Sequence, residues 1–147
     1  MSFTDLNYHI VFATRGRRAM LTESIRDRLW RYLHATAENL GGTLLAAGGV
    51  GDHVHLALNI SATRDVSGLV RDLKANSSRW LRQLDGMGTF HWQDGYAAFT
   101  VSRSVLPKVI RYIEGQESHH QSQPFMAELE ELLQRHDIAF DPSHLES

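Results

Sequence analysis

The order of strand and helix signals in this chain predicts an α+β fold, a four-stranded antiparallel sheet with helices packed against it. Three observations carry that expectation. From Asp52 to Ile60, the residues Val54, Leu56, Leu58 and Ile60 alternate with His53, His55, Ala57 and Asn59, the period-two pattern of a strand with one aliphatic face. Two long stretches, Thr22–Leu40 and Asp65–Leu84, repeat apolar residues at helical spacing. Gly51-Asp52 is a tight-turn signal that would join two neighbouring strands as a hairpin.

In chain order, Asn7–Thr14 is rich in β-branched and aromatic residues and reads as the first strand. It runs into Arg15-Gly16-Arg17-Arg18, which suits either a solvated loop or a phosphate clamp. Thr22 is placed to cap a helix with the stripe Ile25, Leu29, Leu33, Ala37 and Leu40, and Gly41-Gly42 ends it. Thr43–Gly49 is a glycine-rich second strand, and the histidine strand comes directly after it. Ser61–Asp65 offers caps for a second helix with Val66, Leu69, Val70 and Leu73 inward, continued by Trp80, Leu81 and Leu84. On it Arg71, Lys74, Ser78 and Arg82 share one arc, which reads as a solvated face or as a polyanion surface. Tyr96–Val101 is a fourth strand, Ser104 caps a third helix with Pro107 in its first turn, and Gln123-Pro124 opens a fourth with Phe125, Leu129, Leu132 and Leu133 inward. This order is the ferredoxin-like βαββαβ antiparallel sheet with two additional C-terminal helices. Leu56 and Leu58 then face the two long helices, and His53 and His55 face the side that only the C-terminal helices can cover.

At 147 residues the chain is expected to form one domain, 1–147, with an acidic helix and tail from about 121 to 147. Its 42% hydrophobic content is that of an ordinary globule, and no apolar run approaches the roughly 20 residues of a membrane span. Met1–Asp5 lacks the layout of a secretory signal, so a cytoplasmic location and no membrane partner are expected. Without cysteine, any metal must sit on nitrogen and oxygen ligands. The net charge of -2 hides a segregation: 1–113 carries 14 basic against 9 acidic residues, and 114–147 carries 1 against 8. A basic body with an acidic end is compatible with a polyanion bound to one face.

Two histidines at i and i+2 share a strand face, where they suit a divalent ion or a merely polar surface. Projected as one helix, Ser104–His120 puts Val105, Leu106, Val109, Ile110 and Ile113 on the packed side, with Tyr112 and Gln116 one turn apart. Gln116 falls on the apolar flank, where its amide needs a partner. A metal ion or the backbone could provide one.

His53-Val54-His55, with Tyr112-Ile113-Glu114-Gly115-Gln116 downstream, resembles the single-tyrosine HUH transposases of small insertion sequences that move as single-stranded DNA, including the REP-associated tyrosine transposases. Tyr8-His9-Ile10-Val11-Phe12 with its basic loop, Leu73-Lys74-Ala75-Asn76-Ser77-Ser78 and Trp92-Gln93-Asp94-Gly95-Tyr96 extend the resemblance over roughly Asn7 to Phe140. It implies that Tyr112 attacks a DNA phosphodiester, leaving a 5′-phosphotyrosine link and a free 3′ hydroxyl, with His53, His55 and Gln116 holding Mg²⁺ or Mn²⁺. It also implies single-stranded DNA with a hairpin as partner and a nucleoid-associated location, with Arg15, Arg17, Arg18, Arg71, Lys74, Ser78 and Arg82 as the expected contacts. A homodimer is implied too, in which the tyrosine helix of one chain can complete the histidine site of the other. The chemistry is consistent, because a phenol of pKa near 10 needs a metal-polarised phosphate to be an effective nucleophile at neutral pH.

Other readings use the same residues. A non-catalytic ferredoxin-like module would stack single-stranded bases on Tyr8, Phe12, Tyr96 and Phe99. A metal-dependent hydrolase would leave Tyr112 structural, and a domesticated nuclease would retain the site outside a mobile element. His119-His120 suits a base, an added ligand or a frayed helix end.

Overall fold

A computed structural model describes residues 1–119 and 124–141. Strands β1 (Asn7–Ala13), β2 (Gly42–Val50), β3 (His53–Ile60) and β4 (Ala97–Val101) form one sheet in the order β2-β3-β1-β4, with every neighbouring pair antiparallel. Helices α1 (Glu23–Asn39) and α2 (Val66–Leu81) cover one face, where Leu29, Leu33, Leu69 and Leu73 meet Ile10, Phe12, Val54, Leu56 and Leu58. This is the expected ferredoxin-like arrangement. Asp65 caps α2 by accepting from the Gly68 N–H at 2.7 Å, whereas Thr22 occupies the N-cap of α1 without a side-chain bond.

The other face is covered by the helices C-terminal to β4, namely α3 (Leu106–Glu114), α4 (Gln116–His119) and α5 (Phe125–Arg135). On α5, Phe125, Leu129, Leu132 and Leu133 pack on Val11, Ala13 and Phe99, while Leu106 and Ile113 of α3 pack on Ala46, Ala57 and Val101. Strand β3 is therefore buried from both sides, and His53 and His55 have no solvent exposure. Gln123, expected to open the last helix, and His120 lie outside the described residues.

The single helix expected over Ser104–His120 is two helices. Gly115, at φ -93 and ψ 16, ends α3, and its N–H still reaches the Arg111 carbonyl. Without a side chain, glycine gains least from staying helical, so the chain turns there. The start shifts as well: Val105 is the N-cap, and the Ser102 carbonyl accepts from Val105 and Leu106 N–H at 3.0 Å each.

The aromatics that would form a base-stacking platform are not presented together. Phe12 packs edge-on to Trp92 at 4.7 Å within the α1–α2 core, and Phe99 is buried on the opposite face under α5.

What lets α3 settle on β2 is a missing side chain. A Cβ at Gly48 would overlap the Ile113 carbonyl oxygen. Backbone cannot yield as a side-chain tip can, so Gly48→Ala is expected to push α3 off the sheet and cost about 1–3 kcal/mol. Urea unfolding measures this, and an unchanged midpoint would show that α3 does not depend on the contact.

Candidate active site

Strand β3 holds both imidazoles rigidly, and each ring has a defined inner and outer nitrogen. His53 Nδ1 lies 2.8 Å from Asp52 Oδ1, and His55 Nδ1 lies 2.8 Å from Nε2 of His9 on β1. Both Nε2 atoms are thereby aimed at the same point. Glu128 Oε1 occupies it, 3.4 Å from His53 Nε2 and 3.0 Å from His55 Nε2. Phe125, one turn before Glu128, sets its ring 4.2 Å from that of His53 and fixes the depth of α5.

The second carboxylate oxygen faces α3 and α4. Tyr112 donates its phenolic O–H to Glu128 Oε2, and Gln116 Nε2 lies 3.3 Å from the same oxygen. Gln116 is buried, and its Oε1 has no hydrogen-bond partner among the described residues. Such an atom is costly in an interior unless something binds it.

These groups fit a divalent ion. His53, His55 and Glu128 each offer a ligand atom within 4.8 Å of the others, and Gln116 adds the orphaned carbonyl oxygen. Neighbouring ligands of an octahedral ion stand about 3 Å apart, given metal–oxygen bonds of about 2.1 Å. The observed 3.0 and 3.4 Å separations match that spacing. The donor set is nitrogen and oxygen, as a cysteine-free chain requires. Asp52 and His9 then supply the outer hydrogen bonds that keep each ligand nitrogen turned inward.

Protonation is governed by the same contacts. Burial opposes the charge on Glu128, but hydrogen bonds from His53, His55 and Tyr112 outweigh it and hold the carboxyl far below its usual range. Burial, reinforced by the Glu128 hydrogen bond, pushes the Tyr112 phenol well above its usual value. Burial and the neighbouring His55 push His9 down to about 3, so it is neutral at pH 7. His53 is penalised by burial yet raised overall by Asp52 and Glu128.

His53, His55, Tyr112 and Gln116 are thus brought together, and within one chain. The Tyr112 ring lies 5.6 Å from that of His55 and 6.0 Å from that of His9. The basic residues are dispersed. Lys74 Nζ binds the Gln93 and Gly95 carbonyls at 2.8 and 2.7 Å, and Arg82 bonds Ser78 Oγ and the Phe90 carbonyl, so these three strap the loop before β4 to α2. Arg71 is exposed beside Asp72. Arg15 and Arg18 are exposed and, with His91, line a depression of about 230 Å³, and Arg17 is half-buried beside them.

Sequence reasoning missed Glu128, His9 and Asp52. Glu128 carried a readable signal: it sits with Phe125, Leu129 and Leu132 on the apolar stripe of α5, a carboxylate where the pattern asks for a hydrophobe.

The profile described as "Transposase IS200 like" matches residues 2–116 of this chain. The chain belongs to that family. Relatives include the ISDra2 transposase TnpA of Deinococcus radiodurans, 28% identical over 118 residues, covering 76% of this chain and 84% of the relative. The transposase for insertion sequence element IS200 of Salmonella typhimurium is 31% identical, covering 76% and 77%. Among solved structures, a Deinococcus radiodurans protein described as a transposase superposes with a TM-score of 0.63 at 28% identity, covering 78% of this chain and 93% of its own. A REP-associated tyrosine transposase bound to a REP hairpin shares the fold, with a TM-score of 0.58 at 15% identity over 77% and 67% of the two chains. The family match contains the histidine strand, Tyr112 and Gln116, and stops before α5. Among the described residues no helix is long and apolar enough to cross a membrane.

Removing an outer hydrogen bond tests the metal geometry. Asp52→Ala and His9→Phe are each expected to weaken Mn²⁺ binding about 10–100-fold while the fold persists. Calorimetric titration measures this, and unchanged affinity in both would detach these residues from the metal. Affinity should also fall with acidity. In the metal-free protein the raised His53 pKa contributes stability that is full below the ordinary value of 6.5 and lost as pH rises through the raised one. A metal must displace that proton, so the stabilisation by Mn²⁺ in thermal melts should shrink as pH falls toward 6.

Proposed function

We propose that this IS200-like transposase nicks and rejoins single-stranded DNA, with Tyr112 as nucleophile. The observation that carries the reading is the convergence of the Tyr112 hydroxyl, two imidazole Nε2 atoms and the Gln116 amide on the Glu128 carboxylate, with Gln116 Oε1 left without a hydrogen-bond partner among the described residues. Bound by His53, His55, Gln116 and Glu128, Mg²⁺ or Mn²⁺ supplies Lewis-acid polarisation of a phosphoryl oxygen. The chain's own residues do the rest. Burial keeps the Tyr112 phenol protonated and its hydrogen bond to Glu128 Oε2 orients the hydroxyl, whose proton passes to solvent as Oη attacks. The Tyr112 Oη–P bond forms while the P–O3′ bond breaks, and the departing 3′ oxygen takes up a proton. The phosphotyrosine keeps the bond energy, so a second 3′ hydroxyl can reverse the step without ATP.

The hairpin bound by the REP-associated structure supports a hairpin-bearing DNA as partner, with the exposed Arg15 and Arg18 corner as its contact. Moving one end onto another needs two nucleophiles close together, which a symmetric homodimer provides. The position of Tyr112 over its own histidines favours one complete site in each chain.

Tyr112→Phe should abolish the covalent adduct with single-stranded DNA and leave affinity nearly intact. An adduct that persists in that variant removes Tyr112 from the mechanism. His53→Ala and His55→Ala should each lose divalent-dependent cleavage, with Gln116→Ala weaker in the same direction, and excess chelator should silence the wild type. Mixing Tyr112→Phe with His53→Ala protein, once subunits have exchanged, should restore nothing. Recovered activity would mean that the tyrosine helix is shared between chains.

A further inference from the structure

Two grooves touch the site, and their charges are opposite. One, of about 280 Å³, reaches Gln116 between α1 and α4 and, among the described residues, is rimmed by Glu23, Asp27, Glu114 and Glu117 against Arg26. The other, of about 410 Å³, lies between β4, α3 and α5 and reaches Tyr112 and His9. Among the described residues its charged lining is Lys108 and Arg135, without a carboxylate. Its walls are apolar, formed by Val101, Val105, Val109 and Leu132. His136, exposed and stacked on Phe99 at 4.2 Å, adds an aromatic face. A polyanion is repelled by the first rim and attracted by the second.

We propose that the groove between β4, α3 and α5 is a nucleotide subsite, which receives the unpaired nucleotide next to the scissile phosphate of single-stranded DNA. This rests on the reading of Tyr112 as nucleophile and deepens it. The base and deoxyribose lie against the apolar wall, and the flanking phosphates meet Lys108 and Arg135. The volume suits such a ligand, since small-molecule sites run about 300–1,000 Å³. Stacking on an aromatic face is sequence-tolerant and favourable for every base. Arg135 also bonds Glu131, but an exposed i,i+4 pair is worth little, so a phosphate can take the guanidinium over. One wall belongs to α5, beyond residue 116 where the family match ends. The same helix that brings Glu128 into the site therefore shapes one wall of the subsite, and β4 and α3, within the family match, shape the rest.

The test uses the full chain and a pool of labelled single-stranded oligonucleotides. Without divalent metal, Lys108→Glu combined with Arg135→Glu should weaken binding at least tenfold. The log–log salt slope should fall by about 1.4, the value for two lost contacts to single strands. Arg31→Glu, an exposed charge reversal on α1, should change binding less. Val105 is 47% exposed, so Val105→Trp can be tolerated while it narrows the groove. That variant should lower the yield of the Tyr112 adduct at least tenfold. Photocrosslinks from 5-iododeoxyuridine in the pool should map to β4, α3 and α5. Wild-type affinity and adduct yield in these variants, or crosslinks confined to the acidic groove, would overturn the subsite and leave Tyr112 as nucleophile. A wild type that forms no adduct would remove the nucleophile reading itself.

Discussion

A single buried carboxylate organises this molecule. Glu128 is 2% exposed, and an isolated charge at such a depth costs several kcal/mol even after the protein relaxes. It is tolerated because both oxygens are engaged: Oε1 by two imidazoles, Oε2 by a phenol and an amide. The dependence is mutual. Remove the carboxylate, and four polar groups from β3, α3 and α4 face one another in a dry space. Remove the imidazoles, and Oε1 loses both of the contacts that offset its burial. The packing of α5 and the integrity of the polar centre are therefore one problem with one solution, which explains why Phe125, Leu129 and Leu132 flank a residue of opposite character.

The sheet supplies the rigidity this arrangement needs. β3 is central, hydrogen-bonded to β1 and β2 along its length, so the two imidazoles cannot drift independently. The register sets His55 opposite Val11 and His53 opposite Ala13, small or aliphatic neighbours that leave room for the rings. His9, two residues before Val11, lies on the same face and reaches His55 diagonally. On the opposite edge Gly48 admits the α3 backbone against β2, and this close approach places Tyr112 above His55 rather than further out.

Most of the scaffold was legible in the sequence, because the alternation in β3 and the stripes of α1 and α2 are strong local patterns that packing reinforces. The histidine face was legible for the same reason, since period two leaves only one side for His53 and His55. The helix after β4 was harder. Its apolar stripe ends at Ile113, while the Tyr112–Gln116 spacing still suits one continuous helix, so only the backbone cost of glycine in a helix marks the turn at Gly115. The roles of Lys74, Ser78 and Arg82 were hidden too: their arc is the same for a free cationic face as for a strap, and the partners are carbonyls of Gln93, Gly95 and Phe90 that carry no sequence signal. Glu128 and His9 depend on contacts across more than 40 residues of sequence with His55, beyond any local pattern.

The charge segregation takes on a different meaning once α5 is in place. As composition, the excess of acid after residue 113 says only that a polyanion could be bound to one face of the body. In the fold, one of those acids is turned inward to the polar centre, and Glu114 and Glu117 rim the groove at Gln116. The acidic end thus shields one approach to the centre while Lys108 and Arg135 mark the other. Repulsion at one opening and attraction at the other act on the same polyanion, so a modest net charge of -2 is no obstacle to a nucleic-acid substrate. What matters for access is the sign of the field at each mouth of the site, and that is set by which helix faces the fold turns toward it.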